Sequence, residues 1–214
     1  ITGGAGFIGG HLADLLAERG HSVRVLDSLE PQVHGDRAPE CMNNNVEFIR
    51  GDVRDLRVVE RCVEGMEAVF HFAAAVGVAQ SQYEPVKYVE TNAGGTANLV
   101  QALIEKKTDI ARLVVAGSMS VYGEGDGFCE EHGVVRPGAR AMEDVKNCRW
   151  EPRCPHCGEF VTPVPVKETS CPAPASVYAV TKLSQEQMVL VAGEAHGWPV
   201  TVLRFFNVYG PRQI

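Results

Sequence analysis

The chain has 214 residues, 45% of them hydrophobic, which is enough to build a real core as one large domain or one and a half average ones. Its net charge of -7 gives no electrostatic reason to bind nucleic acid or an anionic membrane, and no run approaches the ~18 uncharged apolar residues a membrane helix needs. The opening residues, ITGGAGFIGG, lack the basic and apolar segments of a signal peptide, so a cytoplasmic protein is expected.

Up to Tyr122 apolar runs alternate with amphipathic segments, the pattern of strands and helices winding a parallel sheet. There is no initiator Met and the glycines begin at residue 3, so the chain is expected to start after most of its first strand. Leu12, Leu15, Leu16 and Arg19 recur at helical spacing until Gly20 stops the run. Strands are predicted at 21–27 (HSVRVLD), 46–52 (VEFIRGD), 68–74 (AVFHFAA) and 112–118 (RLVVAGS), with one longer helix over 86–106 behind Pro85. Between 124 and 171 the periodicity dissolves into Gly, Pro, Cys and charge. It resumes with a helix over 177–196 and a last strand over 200–210. The fold class is therefore α/β, a doubly wound Rossmann sheet made of 1–123 and 172–214, with 124–171 as a Cys-rich insertion.

Gly3, Gly6 and Gly9 directly precede the first helix. In that spacing Gly3 permits a tight turn, Gly6 lets the backbone approach a pyrophosphate and Gly9 lets the helix pack closely, with the phosphates on the helix N-terminus. The next strand ends at Asp27, whose carboxylate can accept hydrogen bonds from the adenosine ribose and would repel a 2′-phosphate, favouring NAD over NADP.

With these residues, GDVRD (51–55), FAAA (72–75), NAGGT, SMSVYG (118–123), YAVTK (178–182) and RFFNVYGPR (204–212) stand in order along nearly the whole chain. Together they resemble the extended short-chain dehydrogenase/reductases, the NAD-dependent epimerase/dehydratase group acting on nucleotide sugars. The resemblance implies that Phe7 and Ile8 belong to the dinucleotide loop and that Asp52 and Val53 contact adenine. It further implies that Phe72, Ala73, Ala74, Asn92 and Phe205 line the dinucleotide, that Asn207 contacts the sugar nucleotide, and that the enzyme is a homodimer. It places a C-terminal sugar-nucleotide domain beyond Ile214.

Tyr178 and Lys182 are four residues apart on a predicted helix and share a face. A tyrosine at its ordinary pKa of about 10 is a poor base, and a nearby ammonium with an oxidised nicotinamide favours the phenolate, which can take a proton from a sugar hydroxyl as hydride leaves the carbon. Ser118, at the end of its strand, is by resemblance the serine that hydrogen-bonds the reacting hydroxyl, with Ser120 as runner-up. Gly117, where the family often has a second serine, is expected to widen the pocket. Sugar dehydratases of the group carry an Asp-Glu pair just after the equivalent of Ser118, the acid and base that elimination of water requires; here Met119 and Ser120 follow. Oxidation at C4, rotation of the keto sugar and re-reduction, a 4-epimerisation, is favoured. Dehydrogenation, decarboxylation and dehydration by the same family remain open.

Five of the seven cysteines fall between Cys129 and Cys171, a clustering that favours metal over disulfides. CEEHG (129–133) and CPHCG (154–158) share a form: two metal-capable side chains two residues apart, then glycine. Two such knuckles supply Cys129, His132, Cys154 and Cys157, a closed Cys3His set for structural zinc, leaving Cys148, His156 and Cys171 as substitutes or spectators. A Pro-rich, charged segment of this length cannot order itself by burial, and a metal crosslink can. Because it joins Ser118 to Tyr178, the insertion is expected at the mouth of the active site. SMSVYGEG followed by such an insertion looks most like the dTDP-L-rhamnose 4-epimerase type. Two other classes compete with an enzyme. A non-catalytic NAD-binding regulator need not keep Ser118, Tyr178 and Lys182 together. A zinc-ribbon nucleic-acid module needs basic knuckles, and residues 124–171 hold six basic against nine acidic side chains.

Overall fold

The computed structural model describes residues 1–35, 45–107 and 109–213. The elements in chain order are α1 (Phe7–Glu18), β1 (Val23–Asp27), α2 (Pro31–His34), β2 (Val46–Arg50), α3 (Leu56–Val63), β3 (Ala68–His71), α4 (Val78–Ser81), α5 (Pro85–Tyr88) and α6 (Gly95–Glu105). They continue with β4 (Arg112–Ser118), β5 (Asp126–Cys129), β6 (Gly133–Val135), α7 (Met142–Lys146), β7 (Thr162–Val164), α8 (Val177–His196) and β8 (Val200–Phe205).

β1 pairs with β2, and β4 lies between β3 and β8, all in parallel. Thr2 bridges Leu26 on one side and His71 on the other, so the opening residues stand mid-sheet and unite the two halves in the order β2, β1, Thr2, β3, β4, β8. A parallel sheet needs cover on both faces. On one side Ala13 and Ala17 of α1 pack against Val23 and Val25; the larger cluster joins Val59 of α3, Leu99 and Leu103 of α6, Leu113 and Val115 of β4, and Val189 of α8. The mixed α/β architecture is thus the Rossmann arrangement expected, with its loops opening at the carboxyl ends of the strands.

The predicted helix over 86–106 is real but not uniform. α5 runs into a π-helical turn, Val89–Gly94, and then into α6 with αR backbone at the joints. Such bulges cluster at functional sites, and this one carries Asn92. β3 and β8 stop at His71 and Phe205, short of the predicted 74 and 210, and the residues beyond form the loops that face the cofactor crevice. α8 matches its predicted bounds because both ends are marked: the Ser176 side chain accepts from the Ala179 amide, and Gly197 ends the helix at φ 72.

The insertion is not the irregular loop its lost periodicity suggested. β5 pairs antiparallel with β6 and with β7, forming a separate three-stranded sheet whose buried cluster is only Cys129, Val135, Cys154 and Val161. Strands this short carry too few residues to show alternation.

Candidate functional site

The glycine loop is shaped by contact rather than by flexibility. Gly3 has φ +67, and a Cβ there would meet the Ala73 backbone nitrogen at 2.6 Å; a Cβ on Gly9 would meet the Gly3 carbonyl oxygen at 2.2 Å. At Gly6 the nearest atom would be that same oxygen at 3.4 Å, so this position is open toward the crevice. Gly6 is the N-cap of α1, and no side chain caps the helix, which leaves its first amides for an anion. Phe7 and Ile8 begin α1 and are half-buried. These residues fit a dinucleotide pyrophosphate.

Asp27 is buried at the end of β1, and its carboxylate already accepts from the amides of Ala5 (3.0 Å) and Leu29 (2.9 Å), with His34 Nε2 at 3.6 Å. It therefore clamps the glycine loop, and its carboxylate keeps lone pairs free for further donors. Asp52 is held in a fork by Arg54, whose hydrogen bond keeps its carboxyl below the ordinary carboxylate pKa, and the buried Val53 packs under Gly95. Phe72, Ala73 and Ala74 follow β3, with the Phe72 and Phe205 rings 6.2 Å apart and edge to face. Asn92 departs from its expected place. Its fully buried amide is spent inside the protein, accepting from Ala75 N, donating to Ala75 O and to Thr181 Oγ1, so it is a strut between the 72–75 loop and α8 rather than an open contact.

Tyr178 and Lys182 share a face of α8, and the Tyr178 amide donates to Ser81 Oγ (3.0 Å), fixing the helix start against α4. The Ser118 side chain faces the Tyr178 phenol closely enough to oppose the rise in its pKa, and it accepts from Ser120 Oγ (2.8 Å) and Ser120 N, capping the 3-10 turn Met119–Tyr122. Both serines converge, with Ser118 the one in contact with the phenol. Burial raises the Tyr178 pKa, partly opposed by the Ser118 hydrogen bond, while burial lowers Lys182 to about 8. The resting chain thus holds a protonated phenol, and the phenolate expected above requires the positive charge that arrives with a cofactor. Gly117 does not widen a pocket: a Cβ there would press on Val202 at 2.8 Å and on the β8 backbone. Asn207 is exposed just beyond β8.

Cys129, His132, Cys154 and Cys157 bring one ligand atom each to within 4.8 Å of one another. The edges are Cys129 Sγ to Cys157 Sγ at 3.6 Å, and His132 Nδ1 to Cys129 Sγ at 3.6 Å and to Cys154 Sγ at 3.7 Å. Zinc bonds of ~2.3 Å to sulfur and ~2.05 Å to nitrogen in a tetrahedron give edges of roughly 3.8 and 3.6 Å, so the residues fit the ion. Each knuckle is a hairpin turn: Cys129 pairs with Gly133, Arg153 with Phe160, and Gly133 and Gly158 hold φ +69 and +79. Cys148 and Cys171 lie outside the cluster, exposed, and the His156 ring sits 5.0 Å from that of His132.

Sequence reasoning overlooked three groups. Arg204 holds Glu186 by a fork, its guanidinium stacked 4.8 Å over the Tyr122 ring; His71 is buried between Thr2 and Thr96; Asp126 accepts from both Arg136 and Ser170, closing the stem of the insertion. All three are ion pairs or hydrogen bonds between residues far apart in the chain, which no local pattern announces.

The sequence profile of the NAD dependent epimerase/dehydratase family matches residues 1–138 and 157–214, leaving out only the middle of the insertion. The dTDP-L-rhamnose 4-epimerase of Burkholderia thailandensis is 32% identical over 216 residues, which is 100% of this chain and 58% of that protein. A UDP-N-acetyl-alpha-D-glucosaminuronate decarboxylase of Bacillus cytotoxicus is 32% identical over 217 residues, 99% of this chain and 54% of that protein. Among solved structures, the UDP-glucose 4-epimerase of Thermus thermophilus in complex with NAD is 33% identical, with a TM-score of 0.70 over 100% of this chain and 56% of that one. The chain thus spans little more than half the length of these relatives. Its fold, its ordered motifs and the profile match make it a member of the NAD-dependent epimerase/dehydratase family.

Proposed function

We propose that the chain carries the NAD site and the catalytic groups of a nucleotide-sugar 4-epimerase, with dTDP-L-rhamnose the first substrate to test. The observation that carries this reading is the Ser118, Tyr178 and Lys182 set at the carboxyl edge of the sheet, without a carboxylate at Met119 or Ser120. The uncapped first turn of α1, the open Gly6 and the Asp27 carboxylate hold the cofactor, and the NAD-bound structural neighbour supports NAD as its identity. When bound, NAD supplies a hydride acceptor and donor at C4 and a positive charge beside the phenol. Ser118 orients the 4-hydroxyl, Tyr178 takes its proton and later returns one, and Lys182 stabilises the phenolate across one helical turn. Asn207 contacts the sugar nucleotide.

Decarboxylation of a C6 carboxylate begins with the same C4 oxidation, and the Bacillus relative makes it the second reading. Incubating the purified enzyme with dTDP-L-rhamnose and a panel of other nucleotide sugars, then following C4 by NMR, separates the two. Inversion at C4 without net NADH supports epimerisation; carbon dioxide release or a stable keto product overturns it.

The proposal extends to one structural zinc on Cys129, His132, Cys154 and Cys157, supported by the tetrahedral edges. It extends also to a homodimer, supported by Val180, Leu190 and Val191 on α8, which are 54%, 44% and 67% exposed in one chain. A cytoplasmic setting accords with the free thiols of all six described cysteines, and no described helix is long and apolar enough to cross a membrane.

A further inference from the structure

Arg204 occupies a junction that the proposed chemistry does not itself use. Its Nε and one terminal nitrogen donate to the two carboxylate oxygens of Glu186 at 2.9 and 2.5 Å. The other terminal nitrogen donates to Tyr122 Oη at 2.8 Å and to the Glu168 carbonyl at 3.0 Å. Each partner belongs to a different part of the site. Glu186 lies on α8 one turn beyond Lys182 and two beyond Tyr178, and it is buried. Tyr122 ends the 3-10 turn that begins at Ser118. Glu168 lies in the return segment of the insertion, between β7 and α8. The same junction is closed at one more point, where the Ala173 amide donates to the Val121 carbonyl at 2.8 Å.

We propose that Arg204 is a positioning residue through which order in the Cys3His insertion sets α8 against the Ser118 turn. The physical reason is the shape of guanidinium, a rigid fork that can satisfy a carboxylate and two other acceptors at once, which an ammonium cannot. With the Glu168 carbonyl in place, the fork is fully directed, and the helix that carries Tyr178 is held against the turn that begins at Ser118. When the insertion loosens, that carbonyl departs, the guanidinium turns toward water, and Glu186 loses the geometry that fixes the helix. Misplacement by about an ångström between reacting groups lowers turnover steeply. The glycine loop follows Thr2, which β3 and β4 separate from β8 and this junction, so the pyrophosphate end of the NAD site is the part least disturbed.

The inference rests on the epimerase reading for its kinetic arm alone; a second arm needs no turnover. Hydrogen exchange is measured on wild type, Cys154→Ser, Arg204→Lys and the double variant. Loosening the insertion by Cys154→Ser should speed exchange at residues 177–186 as well as within 124–171, and the same substitution placed on Arg204→Lys should add nothing further at 177–186. Exchange confined to 124–171, or additive effects in the double variant, overturns the proposal. In the kinetic arm Arg204→Lys lowers kcat about tenfold, with a much smaller change in NAD affinity. Glu186→Gln, which keeps the shape but can accept only one of the two guanidinium hydrogen bonds, guards against a folding failure and should give a loss of the same kind. An unchanged kcat in a folded Arg204→Lys enzyme overturns the coupling, whereas a wild type that turns over no nucleotide sugar overturns the function and leaves the exchange result to decide the coupling.

Discussion

Acidification should destabilise this chain through His71, a fully buried residue that takes no part in the proposed chemistry. Its Nδ1 lies 2.8 Å from Thr2 Oγ1 and its Nε2 2.9 Å from Thr96 Oγ1. The Ala73 amide donates to Thr2 Oγ1 and the Thr96 hydroxyl donates to the Asn92 carbonyl, so Thr2 is left to give its proton to Nδ1 and Nε2 carries the ring proton toward Thr96. The site accommodates a neutral imidazole only. Burial, followed by the nearby Lys182 ammonium, lowers its pKa from 6.5 to about 3. Because the folded value lies below the unfolded one, the unfolded chain binds the extra proton, and stability is lost as pH falls from about 6.5 toward 3. Between pH 7.5 and pH 5 the loss from this one residue is about 2 kcal/mol, against a total stability of roughly 5–15. Urea unfolding at the two pH values, compared between wild type and His71→Asn, measures it. The variant should be less stable at pH 7.5 and should lose about 2 kcal/mol less than wild type on going to pH 5. An equal pH dependence in both proteins refutes the assignment of a neutral, untitrated His71.

Tyr178→Phe should abolish turnover while NAD still binds, since only the phenol oxygen is lost; a near-normal rate would remove Tyr178 from its role as base. The enzyme should bind NAD more tightly than NADP because of Asp27, and Asp27→Asn should narrow that preference by roughly tenfold in paired titrations, at some cost to the loop that the carboxylate clamps through Ala5 and Leu29. Elemental analysis should find one zinc per chain, lost in Cys154→Ser together with protease resistance of residues 124–171 but not with NAD affinity. Metal-free protein with an equally resistant insertion would show that packing alone orders it.

The legible parts of the sequence were those in which one local rule acts alone. β4 and α8 were placed at their true bounds because a run of β-branched residues ends at a serine in one and a cap and a left-handed glycine delimit the other. The convergence of Cys129, His132, Cys154 and Cys157 was readable because each knuckle is itself a local pattern. What was not readable depends on partners distant in the chain. Asn92 reads, by resemblance, as a residue lining the dinucleotide, and only the approach of Ala75 and Thr181 shows where its amide is spent. Gly117 reads as a missing side chain in a pocket until β8 is laid against β4, where Val202 fills the space a Cβ would need. The strands of the insertion were hidden for a different reason, being three or four residues long, shorter than any alternation can reveal.

The insertion also explains why a metal is expected there rather than a larger apolar core. Its buried cluster holds two valines and two cysteines, and units of this size fold stably when a disulfide or an ion adds what their cores lack. The rest of its order comes from charge: Arg153 lies 4.1 Å over the Phe160 ring and donates to both oxygens of Asp144, while Arg136 and Ser170 hold Asp126 at the stem. These pairs are partly buried, Asp144 almost wholly, so each gains Coulomb energy but also carries a desolvation cost, and together they do not replace a core. Three thiols and an imidazole drawn to within 4.8 Å offer one another only weak S–H donors beside the single imidazole N–H, and as ligands of the proposed zinc they would turn that convergence into a crosslink. A metal crosslink from Cys129 to Cys157 would fix both hairpins at once, and the Asp126 stem would tie the pair to the segments that lead to Ser118 and Tyr178. On the zinc and coupling proposals, rigidity in the insertion is delivered to the two segments that carry Ser118 and Tyr178.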